Sequence, residues 1–452
     1  MFPWLAHGHL MPFLGVSKFL AQKGHRVSFI STPKNIHRIQ KLTPISASSS
    51  SPLINLVEIP LPHVDGLPES AESTAEIPIH KVPYLKRAYD KLQFPLAQLL
   101  KDSDINCIIL DFASNWLPRL AAQFGINSIF FSIFNATTLA FLGPPSELLH
   151  GHRQRPEDFT FVPDWIDFPT KVAYKLHEMV NHWVCMDSDV SDFQRVAEVI
   201  QGSRFVTTRT CPQFEANSLS LLQKLYGKPV LPVGLLPPSM PEGDEGFETL
   251  KEWLGDKKSN SVVYIALGTE LSLSQEMMHE LAYGIEKSGL PFIWVVNNRP
   301  LVEGVVGPDI IPPGFETSVS DRGLIWKGFA PQLRILAHPS VGGFLTHCGW
   351  SSVVESLGLG RPLILFAGGS SDMGLISRLM QERGVGLEVP RDEKTGSFTS
   401  DTVAELIRRV LVDKEGQSVR ANALAMRDIF GNVELSNTCL DEFTQCLQTL
   451  AA

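Results

Sequence analysis

Paired cysteines are missing from this chain. Its six cysteines, Cys107, Cys185, Cys211, Cys348, Cys439 and Cys446, are scattered, and no two have the CxxC spacing of a zinc or redox motif. Used this way they read as reduced thiols of a cytoplasmic protein. A basic excess is missing too. The formal net charge is −9 and no basic stripe runs along the chain, which excludes general nucleic-acid binding. No apolar run reaches the ~18 residues that a membrane-spanning helix needs, so no membrane insertion is expected. The opening MFPWLAHGHL has no basic leader and reads as folded protein that begins inside its first strand. Internal repeats and low-complexity tracts are absent. So is GxGxxG at the first strand–helix turn, which argues against a nicotinamide dehydrogenase.

What is present is an alternation of strands and helices. The length of 452 residues suggests two or three domains, and 44 % hydrophobic with 19 % charged residues is ordinary globular composition. After MFPWL, residues Leu10, Phe13, Leu14, Val16, Phe19 and Leu20 share one helical face, with Pro12 expected in the first turn and Gly24 as the stop. RVSFIST is the next strand. The rhythm returns in INCIILD, a helix through LPRLAAQF, and NSIFFSI. Residues 45–75 and 145–170 read as loops. A second series contains SVVYIAL, FIWVV, GLIWKGF, VGGFLTH, PLILF and VGLEV, with Ser274 capping a helix that Gly289 ends. Such alternation implies parallel sheets with crossover helices, an α/β fold of two doubly wound domains facing across a cleft. The expected boundaries are 1–236, a proline- and glycine-bearing linker at 237–248, 249–435, and a terminal helix at 436–452.

The stretch FLTHCGWSS, residues 344–352, concentrates polar groups where a strand gives way to a helix. Ligands of open α/β sheets sit beyond the carboxyl ends of the strands. His347 falls at such an end, and Ser351 and Ser352 open the helix, whose free N–H groups and dipole favour an anion. The acidic chain has no global positive field, so a phosphate or diphosphate would be held by this local array.

The wider segment FAPQLRILAHPSVGGFLTHCGWSSVVESLGLGRPLILF, with SDMG after it, resembles the signature box of plant UDP-sugar-dependent glycosyltransferases, glycosyltransferase family 1. The segments AHGHLMPFL and ALGTELSLSQEMMHELAYGIEKSGLPFIWVV are similar to that family as well. Within it the chain looks closest to the branch that extends sugars on flavonoid, terpenoid or saponin glycosides. The resemblance implies a GT-B type fold of two Rossmann-like domains, the first for the acceptor and the second for the UDP-sugar, with the terminal helix packed back on the first. It implies that Phe329 stands where tryptophan usually stacks on uracil, with Ala330 beside it. Gln332 and Glu355 would bond the uracil and ribose. His347, Gly349, Ser351 and Ser352 would hold the diphosphate, with Gly268 and Thr269 near it. Trp350 would meet the sugar through its backbone. Asp372 would bond sugar hydroxyls, and Met373 replaces the usual glutamine. Ser351 stands for asparagine, and AGGSS before Asp372 is one residue long. These changes remove hydrogen-bond donors and redirect the sugar expectation toward a deoxy sugar such as rhamnose, or a smaller one such as xylose.

Transfer to a hydroxyl needs a base. His9 opens the first helix, where the dipole disfavours imidazolium, and the resemblance assigns it that role. Asp111 ends INCIILD and, by the same resemblance, would orient it, as a triad acid does. With no second carboxylate or covalent nucleophile in view, a single displacement with inversion is expected. Trp4, Phe112, Trp116, Phe131, Phe134 and Trp183 are candidates for an apolar acceptor pocket. The expected partners are a UDP-sugar and a small-molecule acceptor, handled by a monomer without metal or other cofactor. A catalytically silent nucleotide-sugar binder is the competing reading; His9 and Asp111 argue against it, since binding alone requires neither.

Overall fold

The computed structural model describes residues 1–42, 53–185, 189–240, 247–268, 273–296, 311–368 and 372–451. Two parallel sheets organise it. The first contains β1 (Val27–Ser31), β2 (Ile54–Glu58), β3 (Cys107–Leu110), β4 (Asn127–Ser132), β5 (Phe205–Thr208) and β6 (Val230–Pro232). β1 pairs with β2, and β3 to β6 pair in chain order. The opening residues join these two sets. Ile30 N donates to Met1 O (2.9 Å), Phe2 N to Ile109 O (2.9 Å) and Asp111 N to Phe2 O (3.3 Å), around one parallel bridge from Phe2 to Leu110. The order is therefore β2, β1, residues 1–3, β3, β4, β5, β6. In chain order the direction of winding reverses between residues 1–3 and β3.

The second sheet contains β7 (Val262–Ala266), β8 (Phe292–Val296), β9 (Gly323–Lys327), β10 (Val341–Thr346), β11 (Leu363–Leu365) and β12 (Gly386–Glu388). Its order is β12, β11, β10, β7, β8, β9, all parallel. This is the doubly wound order 3-2-1-4-5-6, with its switch point between β7 and β10. Every residue of β7 and β10 is buried. Strands covered by helices on both faces need such unbroken apolar runs, which is why both were visible in the sequence.

Three differences from expectation have local causes. The first helix spans His7–Gln22, so Pro12 lies inside it rather than in its first turn. A proline there cannot donate to the carbonyl four residues back, a cost of ~3 kcal/mol in an isolated helix. Burial of Leu10, Phe13, Leu14, Val16, Phe19 and Leu20 offsets it. β2 lies within the segment read as loop. It is a half-buried edge strand between Pro52 and Pro60, and its mixed polarity hid it. The stretch read as loop at 145–170 holds a helix, Pro145–His150, and a 3₁₀ turn, Pro156–Phe159. In the linker expected at 237–248, residues 241–246 lie outside the described residues. Ser274 caps the helix Gln275–Ser288 by accepting from Met277 N, and Gly289 ends it at φ 70°.

The two halves share a core. Phe141, Tyr174, Phe214 and Leu235 from the first cluster with Tyr264, Trp350, Met373 and Phe430 from the second. Ion pairs reinforce it. Arg378 bridges Glu178 (2.8 Å) and Glu388 (3.3 Å), and Lys175 also reaches Glu388 (2.8 Å). The last helix, Val433–Ala451, returns to the first sheet. Its Phe443 ring meets Phe205 at 6.1 Å, and Asp441 pairs with Lys23. No described helix is long and apolar enough to cross a membrane.

Candidate active site

The first half of the site lies at the first switch point. Helix His7–Gln22 starts directly after the opening strand residues, with Ala6 extended at its N-cap and offering no side-chain acceptor. His9 sits in its first turn. Asp111 is the first residue beyond β3. The two strand ends are neighbours, so residues 102 positions apart meet, with His9 Nδ1 2.7 Å from Asp111 Oδ2. Trp4 N donates to the same oxygen (3.0 Å) and Phe112 N to Oδ1 (2.7 Å). Asp111 is 1 % exposed and held by three donors. Donation from Nδ1 leaves Nε2 as the acceptor nitrogen of the ring.

Aromatic rings wall this histidine. Phe112 lies 5.7 Å and Phe134 6.3 Å from the His9 ring, and the two are 6.3 Å apart. The other aromatics expected around an acceptor take core positions. Trp4 is buried behind Phe112, edge-on to Tyr89. Phe131 packs on Phe13 at 4.7 Å. Trp116 is half-buried and edge-on to Phe2 at 6.0 Å. The Trp183 side chain lies outside the described residues. His7 is exposed.

The second half lies at the other switch point. Gly268 follows β7 and His347 follows β10. Gly268 has φ +68°, and a Cβ there would come 2.5 Å from His347 Nε2; one on Gly349 would come 2.6 Å from the same atom. The imidazole is thus seated between two glycines that leave it room. Cys348 has φ +71°, an uncommon conformation for a residue with a side chain. That turn, held by Cys348 N donating to Thr346 Oγ1 (3.2 Å), lets the helix Trp350–Gly358 start at once, with Gly349 at its N-cap and no side-chain acceptor. Ser351 and Ser352 fall in its first turn.

Gln332 ties the next layer together. Its amide donates to Glu355 Oε2 (2.8 Å) and Ser352 Oγ (3.2 Å), and Tyr264 OH donates to its oxygen (3.4 Å). Burial pushes the Glu355 carboxyl up, against the opposing pull of Gln332 and the Arg209 charge. Phe329 is 78 % exposed; Trp326 Nε1 donates to its carbonyl (3.0 Å), which fixes the main chain and leaves the ring outward. Ala330 is buried beside it.

The remaining second-half residues divide. The Trp350 indole is buried between Phe214 and Phe430 and donates to Arg209 O (2.9 Å), so only its main chain faces the helix start. Asp372 is half-buried at the start of the helix Met373–Glu382. Its charge, after burial, raises the pKa of the buried Tyr174 phenol. Met373 is 6 % exposed within the shared apolar cluster. Thr269 and Ser370–Ser371 lie outside the described residues. Two residues were missed. Tyr264 read only as strand core. Arg209 stands directly after β5 and donates to Ser351 Oγ (2.7 Å). A charged residue at the carboxyl end of an apolar strand, in RFVTTRTC, was the available signal for it.

Two doubly wound parallel sheets are the architecture of GT-B glycosyltransferases. Residues 97–429 match the family of UDP-glucoronosyl and UDP-glucosyl transferases. The chain is 48 % identical to UDP-glycosyltransferase 91C1 of Arabidopsis thaliana, over 99 % of this chain and 96 % of that one. It is 39 % identical to soyasaponin III rhamnosyltransferase of Glycine max, over 99 % and 94 %. The crystal structure of UGT73P12 of Glycyrrhiza uralensis, complexed with glycyrrhetinic acid 3-O-monoglucuronide, superposes with a TM-score of 0.84 at 23 % identity, over 100 % of this chain and 95 % of that one. The chain belongs to the plant UDP-sugar-dependent glycosyltransferases, enzymes that transfer a sugar from a UDP-sugar.

Proposed function

We propose that this enzyme transfers its sugar, with inversion, to a hydroxyl on the sugar of a small plant glycoside, a saponin, terpenoid or flavonoid. The contact of 2.7 Å between His9 and Asp111 carries the chemical part of this reading. His9 Nε2 takes the acceptor hydroxyl proton. The oxygen lone pair forms the new bond to the anomeric carbon from the face opposite the nucleotide. The bond from that carbon to the β-phosphate oxygen breaks, and its electron pair leaves with UDP. Asp111 holds the ring so that Nε2 is basic and stabilises the imidazolium that forms. The leaving diphosphate lies at His347 to Ser352, where main-chain N–H groups, hydroxyls and the helix dipole meet its charge. Uracil stacks on the exposed Phe329, and Gln332 with Glu355 binds uracil and ribose. Asp372 accepts from sugar hydroxyls.

The acceptor class is supported by the wall of Phe112 and Phe134 beside His9, and by the soyasaponin III rhamnosyltransferase among the relatives. A matrix of UDP-glucose, UDP-rhamnose and UDP-xylose against aglycones and their monoglycosides, read by mass spectrometry, tests it. Products should gain one sugar on an existing sugar. Transfer to aglycones alone would overturn the acceptor assignment.

A further inference from the structure

Arg209 is a buried cation without a carboxylate partner among the described residues. Its side chain is 3 % exposed, and its three hydrogen bonds go to neutral oxygens. Nε donates to Leu235 O (2.8 Å), Nη2 to Leu236 O (3.3 Å) and Nη1 to Ser351 Oγ (2.7 Å). The backbone bends to supply two of these acceptors: Gly234 has φ +80° and Leu236 φ +53°. Burial lowers its pKa to about 10, so it keeps its charge at neutral pH. Hydrogen bonds to neutral groups satisfy its donors but give that charge no direct counter-ion, a costly state inside a protein.

Its position gives the charge a use. Arg209 directly follows β5 of the first sheet, yet it grips the first two residues of the helix Trp350–Gly358, one through the indole–carbonyl bond and the next through the serine hydroxyl. A diphosphate at that helix start brings the missing negative charge. Glu355 attracts it through space but makes no hydrogen bond or ion pair with it among the described residues, so it offsets only part of the charge.

We propose that Arg209 is a positioning residue of the transfer reaction: from the acceptor-side domain it holds Ser351 in place and supplies the positive charge that the UDP diphosphate meets. This rests on the placement of the diphosphate at His347 to Ser352. Donor binding then draws on both domains, and the leaving group is stabilised only while the domains are aligned.

Titration calorimetry with UDP and with uridine separates this role from plain interface packing, because uridine lacks the phosphates. Arg209→Met should weaken UDP by about tenfold while uridine stays within about twofold, the loss of one charge-assisted contact. Arg209→Lys should recover UDP to within about threefold. Equal weakening of both ligands by Arg209→Met, or of neither, overturns the proposal. Should Arg209→Met fail to fold, Arg209→Gln decides, since its amide can still donate to a neighbouring oxygen while the charge is gone. It should weaken UDP about tenfold relative to uridine, and an unchanged ratio overturns the proposal. His347→Ala binding UDP like the parent would instead overturn the diphosphate placement itself.

Discussion

Asp111→Asn is a severe test of the His9 assignment because the surroundings allow the amide no satisfactory orientation. The carboxylate accepts from Phe112 N at Oδ1 and from Trp4 N and His9 Nδ1 at Oδ2. An amide has one acceptor oxygen and one donor nitrogen. With its oxygen in the Oδ2 place, its nitrogen faces the Phe112 N–H across 2.7 Å. With its oxygen in the Oδ1 place, its nitrogen faces the Trp4 N–H at 3.0 Å and donates to His9 Nδ1. The second clash is the looser, so it should prevail, and it moves the imidazole proton to Nε2. That tautomer cannot accept a proton from the acceptor hydroxyl. Either orientation sets one buried main-chain N–H against a donor, worth ~1–3 kcal/mol of stability. The expected outcome is a urea midpoint lowered by that amount. The kcat for UDP release should fall by roughly 10²–10⁴, the worth of a general base. UDP affinity should stay within about twofold, since the proposed nucleotide site is on the other sheet. A variant with kcat within fivefold of the parent would refute the role given to the dyad.

His9→Ala should fold and lose turnover by roughly 10²–10⁴, and adding Asp111→Asn should cost little more, because the pair acts as a unit; additive losses would separate the two residues. Gly268→Ala places a Cβ 2.5 Å from His347 Nε2 at φ +68°, so UDP affinity should drop by about tenfold or more along with ~1–2 kcal/mol of stability; calorimetry showing parental affinity would dissociate His347 from the nucleotide. Arg378→Met leaves the buried Glu178 and Glu388 short of a cation, and urea unfolding should show ~3–5 kcal/mol lost, with Glu178→Met in addition restoring part; an unchanged midpoint would make that ion cluster ornamental. Met373→Gln should raise kcat/KM for UDP-glucose relative to UDP-rhamnose by roughly tenfold if position 373 reads the sugar; a fixed ratio would mean that its burial keeps it away from the donor.

The sequence made legible whatever is local and periodic. β7, β8 and β10 were visible as unbroken apolar runs, and the helix from Ser274 to Gly289 through its cap and stop residues. β2 was not, because half-buried edge strands carry polar residues and here stand between prolines. The residue types of the site were legible at strand ends, but their alliances were not. Nothing in residues 344–352 indicates that Ser351 is held by an arginine 142 positions earlier, or that the Trp350 indole turns into the core. Aromatics are ambiguous for a similar reason. Trp4 and Phe112 are equally apolar, yet one supports the other, and only tertiary packing decides which ring meets the histidine.

The division of labour between the sheets follows from where winding reverses. Each doubly wound sheet has one crevice, where the chain turns from one edge toward the other. Here one crevice brings together His9 and Asp111, the other Gly268 and His347. The proposed displacement with inversion would need the base and the leaving group on opposite sides of the reacting carbon, which two crevices, one on each sheet, can supply better than one. The demand that follows is alignment, since a misplacement of ~1 Å can cost about a hundredfold in rate. The shared apolar cluster, the Arg378 ion pairs and the contacts of Arg209 with Trp350 and Ser351 all act on that alignment. Among the described residues Phe112 and Phe134 pack in the cluster of the first half and not in the shared one. If Phe112 and Phe134 line the acceptor as proposed, substitution there should change acceptor preference and leave the alignment and UDP affinity as they are.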